Sequence, residues 1–170
     1  MPRVFIGLGS NMGDRLRNIS RATAAIARLH DTRLVQMAPI VETAPVGGVP
    51  QDLFLNSVLE IETSLEPFAL LDQLKRIEQD LGRDPSAQRW GPRPIDLDIL
   101  FYGDEVVVDD RLLIPHARLH ERWFVLQPLS QLDPSLVHPT LHKLIRELLS
   151  EIPHPESVIP AAEIDVSASV

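Results

Sequence analysis

Apolar and polar positions along this chain follow two rhythms, one of period two and one of period three to four, and the switches between them mark strands and helices. Residues 3–8 are a short apolar run closed by glycine, which predicts a buried strand. Asp14 stands where a helix cap belongs, ahead of Leu16, Ile19, Thr23 and Ile26 at spacings of three and four. Residues 32–41 predict a second strand. Residues 43–52, rich in proline and glycine, predict a long shaped loop of the kind that carries function in compact domains. Residues 53–63 alternate: Leu53, Leu55, Ser57, Leu59 and Ile61 share one face, and Phe54, Asn56, Val58 and Glu60 the other.

A second helix is predicted over 67–81, with Pro67 in its first turn and Gly82 at its stop. Its stripe is Leu70, Leu71, Leu74, Ile77 and Leu81. Residues 83–94 make a second long loop, and 95–102 with 105–108 read as a hairpin turning at Gly103-Asp104. Leu141, Leu144, Ile145 and Leu148 predict a last helix over 141–149. Two strand–helix–strand units in succession predict an α+β fold, an antiparallel sheet with helices packed on it. Residues 1–150 read as one domain; residues 151–170, proline-bearing and without periodicity, read as a loose C-terminal tail.

Charge and composition narrow the possibilities. The net charge of −8 argues against nucleic acid as a partner, so a site for an anionic nucleotide has to be a local basic patch. The absence of cysteine excludes disulfides and thiolate metal sites. The apolar run at 4–8 is too short for a signal peptide and nothing approaches a membrane span, so a cytoplasmic protein without membrane partners is expected.

The densest chemistry lies in Arg89-Trp90-Gly91-Pro92-Arg93-Pro94-Ile95-Asp96-Leu97-Asp98-Ile99-Leu100. On a strand, Asp96 and Asp98 share one face while Leu97 and Ile99 take the other. Two adjacent anions repel unless a cation neutralises them, and hard oxygen ligands suit magnesium. Arginines beside the pair are shaped for phosphate oxygens, so the string reads as a site for metal-bound polyphosphate. Taken alone, Asp-x-Asp would equally describe a solvated edge strand. The Gly7-Leu8-Gly9-Ser10-Asn11-Met12-Gly13 segment has the wrong glycine spacing for a dinucleotide motif and reads as a tight strand-to-helix turn. Phe54 and Asn56 on one strand face would suit a flat ring with an amide-like edge, or be a half-buried aromatic beside a solvated amide. Lys75 and Glu78, three apart on a helix, could be a surface ion pair.

The twelve-residue string resembles the signature of the 6-hydroxymethyl-7,8-dihydropterin pyrophosphokinase family of folate biosynthesis, with every specified position filled. The similarity extends through Gly7 to Asn11, Glu42-Thr43-Ala44-Pro45, Phe54-Leu55-Asn56 and Pro115-His116 to Phe124, and ends near Leu149. It implies a ferredoxin-like sheet and an enzyme that moves pyrophosphate from ATP to the hydroxymethyldihydropterin, releasing AMP. It also implies two magnesium ions on Asp96 and Asp98, with Arg83 and Arg93 catalytic. The pterin would lie between Phe54 and Phe124, near Trp90, its edge met by Asn56 and by backbone groups of Thr43, Ala44 and Val46. ATP would be held by Lys75, Glu78, Arg89, Trp90, Arg93, Ile99, Arg111, His116 and Arg122. The chain departs from the family pattern at Asp84-Pro85-Ser86, where basic residues are common, at Ala117, where an aromatic often stands, and at Phe54, often tyrosine. Two other readings remain at this stage: a metal-dependent phosphohydrolase using the Asp pair on water, and a non-catalytic ligand-binding module.

Overall fold

The central strand, β1 (Arg3–Ser10), buries Val4, Ile6 and Leu8 on one face and presents Phe5, Gly7 and Gly9 on the other. In the computed structural model, which describes residues 1–44, 51–84 and 91–152, it runs antiparallel to two long strands. These are β4 (Phe54–Thr63) on one side and β5 (Asp96–Tyr102) on the other. Beyond β4 lies β2 (Thr32–Met37), giving the order β2-β4-β1-β5, and β3 (Val41–Thr43) continues along the same outer edge of β4. With α1 (Arg15–Ala27) after β1 and α2 (Pro67–Asp80) after β4, this is the expected ferredoxin-like α+β arrangement.

Both sheet faces are covered. On one, Ile19 and Ile26 of α1 and Leu70 and Leu74 of α2 are fully buried against Val4, Ile6, Leu59 and Ile61. Cutting one of these back, as in Leu74→Ala, would cost about 2–5 kcal/mol. Asp14 caps α1, its carboxylate accepting the Arg17 N–H at 3.1 Å. On the other face, Phe5, Val58, Leu100 and Phe101 meet Leu126 and Leu129 of α3 (Trp123–Leu132) and Ile145 and Leu148 of α4 (Ile145–Ser150). The β1–β5 register shifts between Phe5 and Ile6, where Leu100 is the extra residue, and Leu100 and Phe101 consequently join the same core cluster. No helix among the described residues is long and apolar enough to cross a membrane.

Several boundaries differ from the sequence expectation. β1 does not stop at Leu8 but runs on through Gly9 to Ser10; ladder bonds need no side chain, and Gly7 and Gly9 pair with neighbours on both sides. The strand expected over 32–41 is broken, because Pro39 has no N–H to offer the ladder and the Ser57 hydroxyl takes the Ala38 carbonyl at 2.8 Å. The hairpin between 95–102 and 105–108 does not form. Gly103 donates its N–H to Arg3 at 2.7 Å, and the His116 N–H bonds the Leu100 carbonyl on β5. Residues 107–108 (β6, Val107–Val108) pair instead with β7 (Leu113–Ile114). The sequence reading missed α3, whose interior Pro128 deprives the Phe124 carbonyl of its usual partner; burial of Val125, Leu126 and Leu129 outweighs that loss. The last helix starts at Ile145 rather than 141, since His142 is left-handed (φ 56°) and the His138 ring accepts the Thr140 and Leu141 N–H groups in a turn. Residues 153–170 lie outside the described residues, as do 45–50 and 85–90.

Candidate active site

Register brings the chemistry together on the α3 side of the sheet. Across one row lie Asn56 of β4, Gly9 of β1 and Asp96 of β5; across the next lie Val58, Gly7 and Asp98. Asp96 and Asp98 therefore share a face, as alternation requires, and the glycine at the middle of each row leaves that face open. A cavity of about 310 Å³ occupies the space.

The acidic end is held by arginines. Arg83, just past α2, donates from one terminal nitrogen to Glu78 at 2.6 Å and to Asp96 at 2.7 Å. Arg93 reaches the other Asp96 oxygen at 2.8 Å. Glu78 is buried, and the same oxygen that takes Arg83 also accepts the Leu97 N–H at 2.8 Å, fixing the start of β5 to α2. Burial raises the Glu78 pKa despite those bonds. Asp98 is pushed up to about 7, first by desolvation and then by the charges of Asp96 and Glu78, with Arg122 and Arg93 opposing. Its side chain keeps 40 % of its surface and lines the cavity.

An acid pushed towards neutrality by burial and by neighbouring acids is a group that a cation would stabilise. Among the described residues no group of three or more His, Asp or Glu side chains converges as a metal cage. Two carboxylates alone nevertheless fit magnesium, which keeps several waters and commonly binds through one or two carboxylates plus substrate phosphates.

His116 lies 4.0 Å from Asp98 through Nε2, while its Nδ1 accepts the Arg118 N–H at 3.2 Å. Desolvation and the Arg122 charge lower its pKa to about 4, so at neutral pH the ring is uncharged with its proton on Nε2, facing the acids. At the other end, Thr43 and Ala44 close the wall, with the Asn56 amide donating to the Thr43 hydroxyl at 2.7 Å. Phe54 and Phe124 line this end, and the Arg122 guanidinium lies 5.7 Å from the Phe124 ring centre.

Of the residues singled out from sequence, Thr43, Ala44, Phe54, Asn56, Lys75, Glu78, Arg83, Arg93, Asp96, Asp98, His116, Arg122 and Phe124 line this one cavity. Arg111 does not: it sits on the turn between β6 and β7, over the Phe68 ring and paired with Asp72 at 2.6 Å. The side chain of Ile99 is buried in the core against α1 and α2. Val46, Arg89 and Trp90 lie outside the described residues. Glu78 is buried rather than in a surface pair with Lys75, and it forms an ion pair with Arg83.

The role of Asn11 escaped the sequence reading. Its buried amide donates to Gln51 at 2.7 Å and to the Asp52 carbonyl at 3.1 Å, and accepts the Arg93 N–H at 2.8 Å. One side chain thus ties the two long loops together. The available signal was that Asp14 already caps α1, which left Asn11 without a local task.

Fold and cleft together define a ferredoxin-like α+β enzyme whose acidic couplet, arginines and aromatic end suit a polyphosphate beside a flat ring. The chain belongs to the 7,8-dihydro-6-hydroxymethylpterin-pyrophosphokinase family, whose family model matches residues 5–134. It is 40 % identical over 151 residues to the 2-amino-4-hydroxy-6-hydroxymethyldihydropteridine pyrophosphokinase of Haemophilus influenzae, covering 89 % of this chain and 93 % of that one. To the Bacillus subtilis protein of the same name it is 44 % identical over 128 residues, covering 75 % and 76 %. Against the folic acid synthesis protein fol1 of Schizosaccharomyces pombe the identity is 41 % over 149 residues, but the chain spans only 20 % of that relative's length. The fold matches wild-type Plasmodium falciparum HPPK-DHPS with a TM-score of 0.69 at 16 % identity, over 89 % of this chain and 43 % of that one.

Proposed function

We propose that this chain transfers pyrophosphate from ATP to 6-hydroxymethyl-7,8-dihydropterin in folate biosynthesis, releasing AMP, with the cavity between Asn56 and Asp98 as its active site. The observation that carries the assignment is the single sheet face on which an amide-and-aromatic end and an acid-and-arginine end adjoin. Asn56, with backbone groups of Thr43, Ala44 and Val46, meets the pterin edge. Phe54 and Phe124 hold its faces, and Trp90 covers it.

Asp96 and Asp98 would hold two magnesium ions, whose chemistry would be charge neutralisation of the triphosphate and Lewis-acid polarisation of the transferred group. Arg83 and Arg93 present their guanidinium forks to the phosphate oxygens, where they neutralise charge developing on the transferred group. Glu78 keeps Arg83 within reach of the acids. His116 donates from Nε2 to a phosphate or ribose oxygen, and Arg89, Arg122 and Lys75 add positive charge around ATP. Ile99 contributes through its backbone. The substrate hydroxymethyl oxygen attacks the β-phosphorus, and catalysis comes chiefly from holding the two substrates in line. A cytoplasmic setting and one domain over residues 1–150 accord with this role.

The test is incubation with ATP, magnesium and the hydroxymethyldihydropterin, followed by chromatography. AMP appearing one-for-one with consumed pterin is expected. Inorganic phosphate without AMP would point to a phosphohydrolase, and failure to bind Mg-ATP to a binding module; either would overturn the assignment.

A further inference from the structure

Gly9 sits in the middle of a three-strand row, between Asn56 and Asp96, with its missing side chain directed into the cavity face. A glycine inside a strand weakens it relative to alanine. Nothing in the backbone demands one here, for the positive-φ glycines of the described chain are Gly13, Gly82 and Gly103 only. What Gly9 supplies is therefore space.

The space has a specific neighbour. A Cβ at Gly9 would stand 2.8 Å from the Asn56 Oδ1 and 3.6 Å from the Phe54 ring. At Gly7, two residues back on the same face, the nearest atoms to a Cβ would be those of Leu100, at 3.4 Å, an ordinary contact. The collision at Gly9 is with a short side chain on a central strand. That side chain is buried and held at its other end by the 2.7 Å bond to Thr43, so it has little freedom to move aside. Adding one methyl group at position 9 would therefore tilt the Asn56 amide away from the cavity or break its bond to Thr43.

We infer that Gly9 is a specificity-determining position: its bare α-carbon lets the Asn56 carbonyl lie flat across β1, at the height where it reads the amide-like edge of a flat heterocycle. This rests on the proposal that the Asn56 end receives the pterin. Neighbouring strands stand about 4.8 Å apart, so the row from Asn56 over Gly9 to Asp96 spans roughly 10 Å. A two-ring heterocycle with a one-carbon arm bridges that distance. Gly9 is a positioning residue, acting through Asn56 and not on the phosphates.

The experiment is a double-mutant cycle on Gly9→Ala and Asn56→Ala, with Gly7→Ala as the matched glycine change. Isothermal titration measures hydroxymethyldihydropterin in the presence of magnesium and a non-hydrolysable ATP analogue, and separately the Mg-nucleotide alone. Gly9→Ala is expected to weaken the pterin at least tenfold and the nucleotide less than twofold, whereas Gly7→Ala changes the pterin less than threefold. In the Asn56→Ala background, where the colliding oxygen is gone, Gly9→Ala is expected to have less than a twofold further effect. Equal losses for pterin and nucleotide, additive losses in the cycle, or a Gly7→Ala defect as large as that of Gly9→Ala would overturn the inference. Should Gly9→Ala fail to fold, the double variant decides: it is expected to fold as well as Asn56→Ala, and its failure would overturn the inference too. A wild-type protein that binds no pterin would instead refute the functional assignment itself.

Discussion

Asn11→Ala removes a side chain that holds both long loops, and its cost can be worked from the bonds it makes. Three hydrogen bonds disappear: those to Gln51 at 2.7 Å, to the Asp52 carbonyl at 3.1 Å and from the Arg93 N–H at 2.8 Å. Each is worth about 1 kcal/mol net, so about 3 kcal/mol is the ceiling. The Gln51 amide can turn to water, which brings the expected loss to about 2 kcal/mol, or roughly 4–8 °C in melting temperature for a domain of this size. The backbone bond from the Asn11 N–H to the Arg93 carbonyl, 3.1 Å, survives the change. Arg93 thus keeps one of its two tethers, and its guanidinium, now 2.8 Å from Asp96, gains freedom. A displacement of 1 Å at such a group costs on the order of a hundredfold in rate. Asn11→Asp keeps an acceptor for the Arg93 N–H but loses the donor to Gln51 and Asp52. It is expected to melt as low as Asn11→Ala while recovering part of the rate. Calorimetry and steady-state kinetics on the three proteins check both statements. An alanine variant that melts lower but turns over within threefold of wild type would refute the positioning argument, because the bonds would then be structural only.

Asp98→Ala is expected to leave the fold intact in circular dichroism, since it removes an acid whose charge is disfavoured first by burial and then by neighbouring carboxylates, and to lower turnover by several orders of magnitude. Retention of more than about a tenth of wild-type turnover at saturating magnesium, a difference of only about 1.4 kcal/mol, would exclude the metal role. Phe124→Ala is expected to weaken the pterin by about 1–3 kcal/mol in titration, by analogy with base–aromatic stacking, and to leave ATP affinity nearly unchanged; equal losses would mean damage to α3. His138, buried and accepting two backbone N–H groups at Nδ1, has its pKa lowered by desolvation. The unfolded chain takes up that proton near pH 6.5, before the folded one does, so the stability involved is present above that pH and lost as pH falls through the folded value. His138→Asn is expected to flatten the fall in urea midpoint between pH 7 and 5, and parallel curves for the two proteins would contradict this.

The parts of the fold that could be read from sequence were those whose periodicity was long and uninterrupted. β4, α1 and α2 announced themselves through stripes that the core then buries, such as Leu70, Leu74 and Ile77. The shared face of Asp96 and Asp98 followed from strand geometry alone. α3 stayed hidden because Pro128 is a local argument against a helix that only tertiary packing overrules. β6 and β7, two residues each, are too short to show any period. Arg111 reads in sequence as one more cation for a triphosphate, and no pattern along the chain could have shown that Asp72 pairs with it on the turn between β6 and β7. Asn11 illustrates the same limit from the other side, for its partners are 40 to 82 residues away in sequence. The void at Gly9 became visible only when β4 and β5 were both set beside it.

β1 stands between two strands that come from distant parts of the chain, and none of the acids, arginines or aromatics of the cleft belongs to it. They meet only because it pairs on both sides. A chain in which β1 has found β4 but not β5 has an amide and an aromatic plate, and no carboxylates; the reverse pairing has carboxylates and no plate. Both closures are long-range steps, late and slow in folding relative to local helix formation. The two ends of the cleft are therefore joined by backbone pairing alone, and the site is complete only once β1 has closed its ladder on both sides.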